Sequence, residues 1–221
     1  IVQKDTLKKE IPVSVLCAVL LFVLGISGME IGRTDGVILL LLFIGFLVWM
    51  VRSALKAHAA SAEAEDPSGE YKIYPAWKCA LYIVGGAVAI KFGGDFVVDG
   101  ASAIAVKAGL SQNLIGLTIV AMGPSLPEFV TSVVAARKNE VDMAFGNVIG
   151  SNIFNILFIL GVTAAISPVA FIMENVVDSI LLVLVSILVW VFAWSRLHIE
   201  KKEGVVLLAC YAGYLIYICT R

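Results

Sequence analysis

The sequence predicts an all-α membrane protein with seven transmembrane helices, and three observations predict it. Of its 221 residues, 60% are hydrophobic and only 15% charged, whereas about a quarter of an average soluble domain is charged. The apolar residues gather into runs close to the roughly 20 residues that a helix needs to cross the hydrocarbon core. Seven such runs occur, separated by polar segments. The formal net charge of −1 gives no attraction for nucleic acid, so the expected partner is the lipid bilayer.

The first span is expected at about Ile11–Met29 and the second at Gly36–Val51. The polar stretch Arg52–Tyr74, rich in Ala, Glu and Ser, reads as a flexible connector. The third span starts near Ala76, the fourth covers Asn113–Ala136 and the fifth Met143–Ile166. The sixth is Val176–Trp194 and the seventh Gly204–Cys219. The opening IVQKDTLKKE reads as a loop between helices, and the native protein is expected to continue upstream.

Charge placement sets the expected orientation. Twelve of the 16 Lys and Arg fall at one set of helix ends, against Arg33, Lys91, Lys107 and Arg221 at the other. The N-terminus and the long connector are therefore expected in the cytoplasm and the C-terminus outside. Trp49, Trp77 and Trp194, with Trp190 one turn deeper, suit an interfacial belt. Cys17, Cys79, Cys210 and Cys219 form no CxxC pair and read as apolar filler. His58 and His198 read as solvated connector residues. Lys91, Asp95 and Asp99 recur every four residues in the third span and read as an ion-paired, snorkelling helix end rather than a transport element.

The chemistry concentrates in Gly116–Gly161, where a carboxylate, hydroxyls and amides enter otherwise apolar helices. At about 100° per residue, Thr118, Ala121, Ser125, Glu128 and Ser132 share one face. Asn147, Ser151 and Asn155 recur at intervals of four on the next helix. An ionised carboxylate such as Glu128 in mid-membrane costs about 2.5–3.5 kcal/mol or more unless it is paired or solvated. A bound cation would neutralise it; a protonated or hydrogen-bonded Glu is the competing reading. Pro124 and Pro127 cannot donate to the carbonyls of Val120 and Gly123, so the helix is expected to break or kink there. Broken helices line cavities and offer backbone carbonyls to cations. Hard cations such as Ca²⁺ and Na⁺ take such oxygen ligands, together with amides and carboxylates. Helix–helix hydrogen bonding is the alternative for the hydroxyls and amides, and for Asn147 and Asn152 it stays equally open. Gly146 and Gly150 form a GxxxG expected to serve close helix packing.

These residues carry a resemblance. Gly123–Glu128 reads GPSLPE and Gly146–Asn155 reads GNVIGSNIFN. The pair resembles the second alpha-repeat of the cation/calcium exchanger superfamily, in its bacterial sodium/calcium antiporter branch, whose pattern is GTSLPE followed by GNxxGSNxFN/D. The resemblance implies an inverted-repeat fold of ten helices, of which this chain would be the C-terminal part. Residues 1–53 would hold the last two helices of the first half, 54–75 the cytoplasmic connector, and 76–221 the second five-helix half with its repeat at 116–161. The missing N-terminal half with the first alpha-repeat would be the partner. Glu128 would be a ligand shared by Ca²⁺ and Na⁺, Ser125 and Ser151 would offer hydroxyls to Na⁺, and Asn155 would sit centrally. The carbonyls of Pro124 and Ala121 would add backbone oxygens, with Thr118, Ser132 and Asn147 lining the pathway. One departure is Pro124 in place of the motif Thr, which removes a hydroxyl. Asn155 stands where some members have Asp.

The function implied is a non-enzymatic secondary antiporter exchanging Ca²⁺ for Na⁺ by alternating access, with those ions as cargo and no cofactor, in a bacterial inner or plasma membrane. A proton/cation exchanger, with Glu128 cycling its proton, and a non-transporting membrane scaffold are the alternatives. No P-loop supports ATP-driven pumping. No His or Lys shares a helix face with Ser125 or Ser132 to make a nucleophile.

Overall fold

In the computed structural model, residues 6–62, 74–196 and 199–220 are described. Among them, seven helices are long and apolar enough to cross a membrane: Thr6–Gly28, Arg33–Lys56, Ala76–Lys107, Thr118–Arg137, Val141–Ile166, Met173–Ser195 and Lys201–Thr220. The order matches the seven apolar runs. Hydropathy locates such spans because, without water, a helix is the one local structure that satisfies its own backbone groups.

The chain divides into two compact units, residues 1–65 with 135–207 and residues 66–134 with 208–221. In the first, helix α1 (Ile11–Gly28) follows a π-helical turn at Thr6–Glu10 and carries a proline in its first turn. It ends where Met29 turns left-handed, at φ 51°. Strand β1 (Glu30–Ile31) leads into helix α2 (Arg33–Ala62). Residues 52–62 are thus helical: their alanines and long straight side chains favour helix. His58 lies within this helix, whereas residues 63–73 and His198 lie outside the described residues.

The fifth span joins helix α6 (Val141–Ile153), a π-helical segment (Phe154–Ile159) and helix α7 (Leu160–Ile166). Strand β2 (Val169–Ala170) connects it to helix α8 (Met173–Arg196). Strands β1 and β2 pair antiparallel, Glu30 opposite Ala170 and Ile31 opposite Val169. This ties the loop after the first span to the loop after the fifth, two loops that alternating spans put on the same side. α1 therefore packs antiparallel on α8, and α2 on α7. Ile31, Leu39, Ile153, Leu157 and Ala164 fill the centre of this unit and are buried.

The second unit contains helix α3 (Ala76–Lys107), the short α4 (Gln112–Ile115), the fourth span with helix α5 (Leu126–Arg137) as far as residue 134, and residues 208–220 of helix α9 (Lys201–Thr220). α3 packs on α4 and on the first half of the fourth span. Three helix starts use one device. Asp35, Asn175 and Glu203 each reach back to accept the backbone N–H three residues earlier, at 2.9, 3.0 and 2.7 Å. This supplies partners to N–H groups that helix geometry leaves open.

Candidate functional site

The fourth span does not keep one helical pitch. Gly116–Val120 is π-helical, Gly123–Ser125 is a 3₁₀ turn, and α5 resumes at Leu126. The N–H of Ala121 is shared between the carbonyls of Gly116 and Thr118. Pro127 has no N–H for the carbonyl of Gly123, and the N–H of Leu126 takes it instead, one residue early. The expected break is therefore a change of pitch with backbone angles still helical, not an unwound gap. The uniform 100° step assumed for the polar face fails between 116 and 125, because π turns are wider and 3₁₀ turns tighter than α.

Glu128 stands in the first turn of α5, directly after the tight turn. It is half-buried, and its Oε2 is withdrawn from solvent. Helix N-termini favour negative charge, so the restart of the helix at Leu126 suits a carboxylate at 128. Ala121, Pro124 and Ser125 are exposed on the same stretch, while Thr118 and Ser132 are half-buried. Thr118 donates its hydroxyl to the carbonyl of Leu114 at 2.6 Å, and Thr131 to that of Pro127 at 2.8 Å.

Asn147 and Ser151 lie on α6 and Asn155 in the π-helical segment that follows, all within the other compact unit. Asn147, Ser151 and Asn152 are half-buried and Asn155 is exposed. Ser151 donates its proton to the carbonyl of Val148 at 2.9 Å. A hydroxyl has one proton and two lone pairs, so Ser151 Oγ is left as an acceptor, the state a cation ligand needs. The N–H of Leu160 bonds the carbonyl of Asn155, five residues back. Phe154 and Phe158 stack at 5.0 Å and meet Phe43 of α2 at 5.8 and 5.2 Å, which anchors this wide turn.

Both motif helices thus carry a π-helical segment beside expected ligands, which residue patterns did not reveal. π-bulges inside α-helices frequently mark functional sites. Two contacts around the tight turn also had no sequence signal, because their partners come from distant spans. A β-carbon built on Gly123 would lie 3.0 Å from Val98 Cγ2 of α3. Tyr211 of α9 donates its hydroxyl to Met122 Sδ at 3.2 Å. Among the described residues, a β-carbon on Gly146 or Gly150 meets nothing within 4 Å. Lys91 and Asp95 do form the expected ion pair, at 2.9 Å, but near the middle of the 32-residue helix α3 rather than at its end. Among the described residues, no three His, Cys, Asp or Glu side chains come together.

Seven apolar spans, two of them of altered pitch beside polar side chains, define a helical membrane protein. Residues 78–220 match the family model described as "Sodium/calcium exchanger protein". The chain belongs to the sodium/calcium exchanger family. It is 36% identical over 212 residues to the uncharacterized membrane protein MJ0091 of Methanocaldococcus jannaschii, covering 96% of this chain and 66% of that one. It is also 36% identical over 131 residues to the sodium/calcium exchanger MaX1 of Methanosarcina acetivorans, covering 59% of this chain and 37% of the relative. The structure of the sodium-calcium exchanger NCX_Mj soaked with zero Na⁺ and Ca²⁺ superposes with a TM-score of 0.78 at 33% identity, covering 99% of this chain and 67% of that one. The chain thus spans about two thirds of the length of MJ0091 and of NCX_Mj.

Proposed function

We propose that this chain carries one alpha-repeat of a secondary antiporter that exchanges Ca²⁺ for Na⁺ by alternating access. The observation that carries the reading is Glu128: a carboxylate with one oxygen withdrawn from solvent, inside an apolar span, directly after a turn of altered pitch. A hard cation offsets the cost of keeping that charge in the membrane. In this reading Ca²⁺ and Na⁺ compete for the carboxylate of Glu128, and that competition couples their movements. Ser125, Ser151 and Asn155 add side-chain oxygens, and Ala121 and Pro124 add carbonyls. Thr118, Ser132 and Asn147 line the pathway.

The family membership supports exchange of these ions, and the likeness to the sodium/calcium exchanger MaX1 supports it further. The two-thirds coverage supports a division into residues 1–53, a connector at 54–75, and a five-helix half at 76–221 that works with a first alpha-repeat. The excess of Lys and Arg at one set of helix ends favours a cytoplasmic connector and an external C-terminus. The expected setting is a bacterial inner or plasma membrane.

The test uses the full-length protein in proteoliposomes. An outward Na⁺ gradient should drive radiocalcium uptake, and Glu128→Gln should abolish it. Uptake that survives this substitution overturns the assignment. A second reading, proton/cation exchange, draws on Pro124, where the motif Thr hydroxyl is absent. Uptake driven by a pH gradient in sodium-free buffer would favour that reading.

A further inference from the structure

We propose that Val98 of α3 and Tyr211 of α9 are positioning residues for the cation site, acting through the tight turn at Gly123–Ser125. The inference rests on the exchange reading for its cation arm and on geometry alone for the rest. Prolines at 124 and 127 remove two N–H donors from the backbone ladder, and the pitch changes from π-helical to 3₁₀ within a few residues. A segment with fewer backbone bonds is held less firmly by its own helix, so its direction depends on what packs against it.

Two neighbours do so on consecutive residues. Gly123 presents a bare α-carbon to Val98, whose Cγ2 lies 3.0 Å from where a β-carbon would sit; Val98 Cγ1 and Cβ lie at 3.8 and 3.9 Å. One turn along α3, Gly94 meets Leu126 and Pro127 in the same way, at 3.9 and 4.0 Å. α3 and the fourth span therefore run antiparallel with Val98 seated in the notch that Gly123 leaves. Met122, the preceding residue, takes the Tyr211 hydroxyl on its sulfur at 3.2 Å. The notch and the hydroxyl together fix the aim of the carbonyls of Ala121 and Pro124, the hydroxyl of Ser125 and the carboxylate of Glu128.

The distances define a compensation experiment. Gly123→Ala places a methyl against Val98 Cγ2, whereas Val98→Ala removes both γ-carbons and leaves the Cβ contact at an ordinary 3.9 Å. The full-length protein in detergent is titrated with Ca²⁺ and read by thermal shift. Gly123→Ala should raise the Ca²⁺ midpoint roughly tenfold, as small misplacements of binding groups do. Adding Val98→Ala to that variant should return the midpoint to within about twofold of the parent if the two changes share one contact. Tyr211→Phe should raise it about threefold, the size of one ordinary hydrogen bond. A role confined to stability would lower the melting temperature without moving these midpoints.

A second readout needs no cation: the rate at which a thiol reagent labels Ser125→Cys in a background lacking the four native cysteines. Gly123→Ala should change that rate, and the added Val98→Ala should restore it. Parental rates and midpoints in Gly123→Ala, or no restoration by Val98→Ala, overturn the proposal. If the parent protein shows no Ca²⁺ response but labelling shifts and recovers as described, the positioning stands and the exchange reading fails.

Discussion

Gly36 of α2 faces the backbone of Gly161 and Ala165 so closely that a β-carbon on Gly36 would overlap the main chain of α7. Gly161 is confined as well, though less tightly, with Leu39 Cβ and Leu40 Cγ each 3.2 Å from a β-carbon built there. Two small residues from different spans thus let α2 and α7 touch backbone to backbone, the close approach that membrane helices use where no hydrophobic force drives association.

Gly36→Ala should therefore destabilise the protein. Overpacking a tight contact costs about 1–3 kcal/mol, which for a chain of this size lowers the melting temperature by roughly 2–12 °C. Gly45, on the same helix with nothing within 4 Å of a built β-carbon, is the control. Its replacement by Ala should leave stability unchanged or raise it through helix propensity. Thermal unfolding in one detergent compares the two; equal melting temperatures would refute the packing argument.

Replacing Pro124 by Thr restores the motif hydroxyl without touching Glu128. The new oxygen should serve Na⁺ more than Ca²⁺, whose stronger ligand is the carboxylate. The Na⁺ concentration for half-maximal exchange should fall about threefold, with the Ca²⁺ value held within about twofold. A large change for Ca²⁺ and none for Na⁺ would place residue 124 outside the sodium ligands.

Much of this fold was legible in the sequence, and the reason is specific. Each span depends on length and apolarity within one segment, so Ile11, Ala76 and Ile166 mark observed helix ends that hydropathy alone located. Glu128 was legible for a related reason: a carboxylate amid Leu, Phe and Val has no apolar explanation. The pitch of the two motif helices was not legible. Pro124 and Pro127 announced a disturbance, but whether the chain unwinds or tightens depends on which N–H takes each carbonyl, and Leu126 made that choice for Gly123. Close packing between distant glycines was not legible either. The tight contact of α2 on α7 joins Gly36 and Gly161, which share no local pattern. Spacing within one helix reveals a smooth face but not what lies against it.

Asn155→Asp adds a negative charge in the π-helical turn after α6. A divalent cation gains more from an added carboxylate than a monovalent one, and ligand charge count is a main lever on Ca²⁺ affinity. The Ca²⁺ midpoint in the thermal-shift titration should fall about tenfold, while the Na⁺ midpoint moves less. Slower Ca²⁺ release should also lower the maximal exchange rate. An unchanged Ca²⁺ midpoint would remove Asn155 from the proposed ligands.

Lys91 and Asp95 offer the opposite expectation. They are the most conspicuous charges in the third span, paired at 2.9 Å one helical turn apart, with the side chains 70% and 58% exposed. A pair this open is worth no more than about 0.5 kcal/mol. Each charge in the pair already has a partner, so no cation is needed to neutralise either. Lys91→Met, Asp95→Asn and the double substitution should each leave sodium-driven Ca²⁺ uptake within about twofold of the parent and shift the melting temperature by no more than about 2 °C. If either single variant lost uptake roughly tenfold while the double regained it, the pair would be a moving part of transport. The third span would then have to be counted with the motif helices rather than as their support.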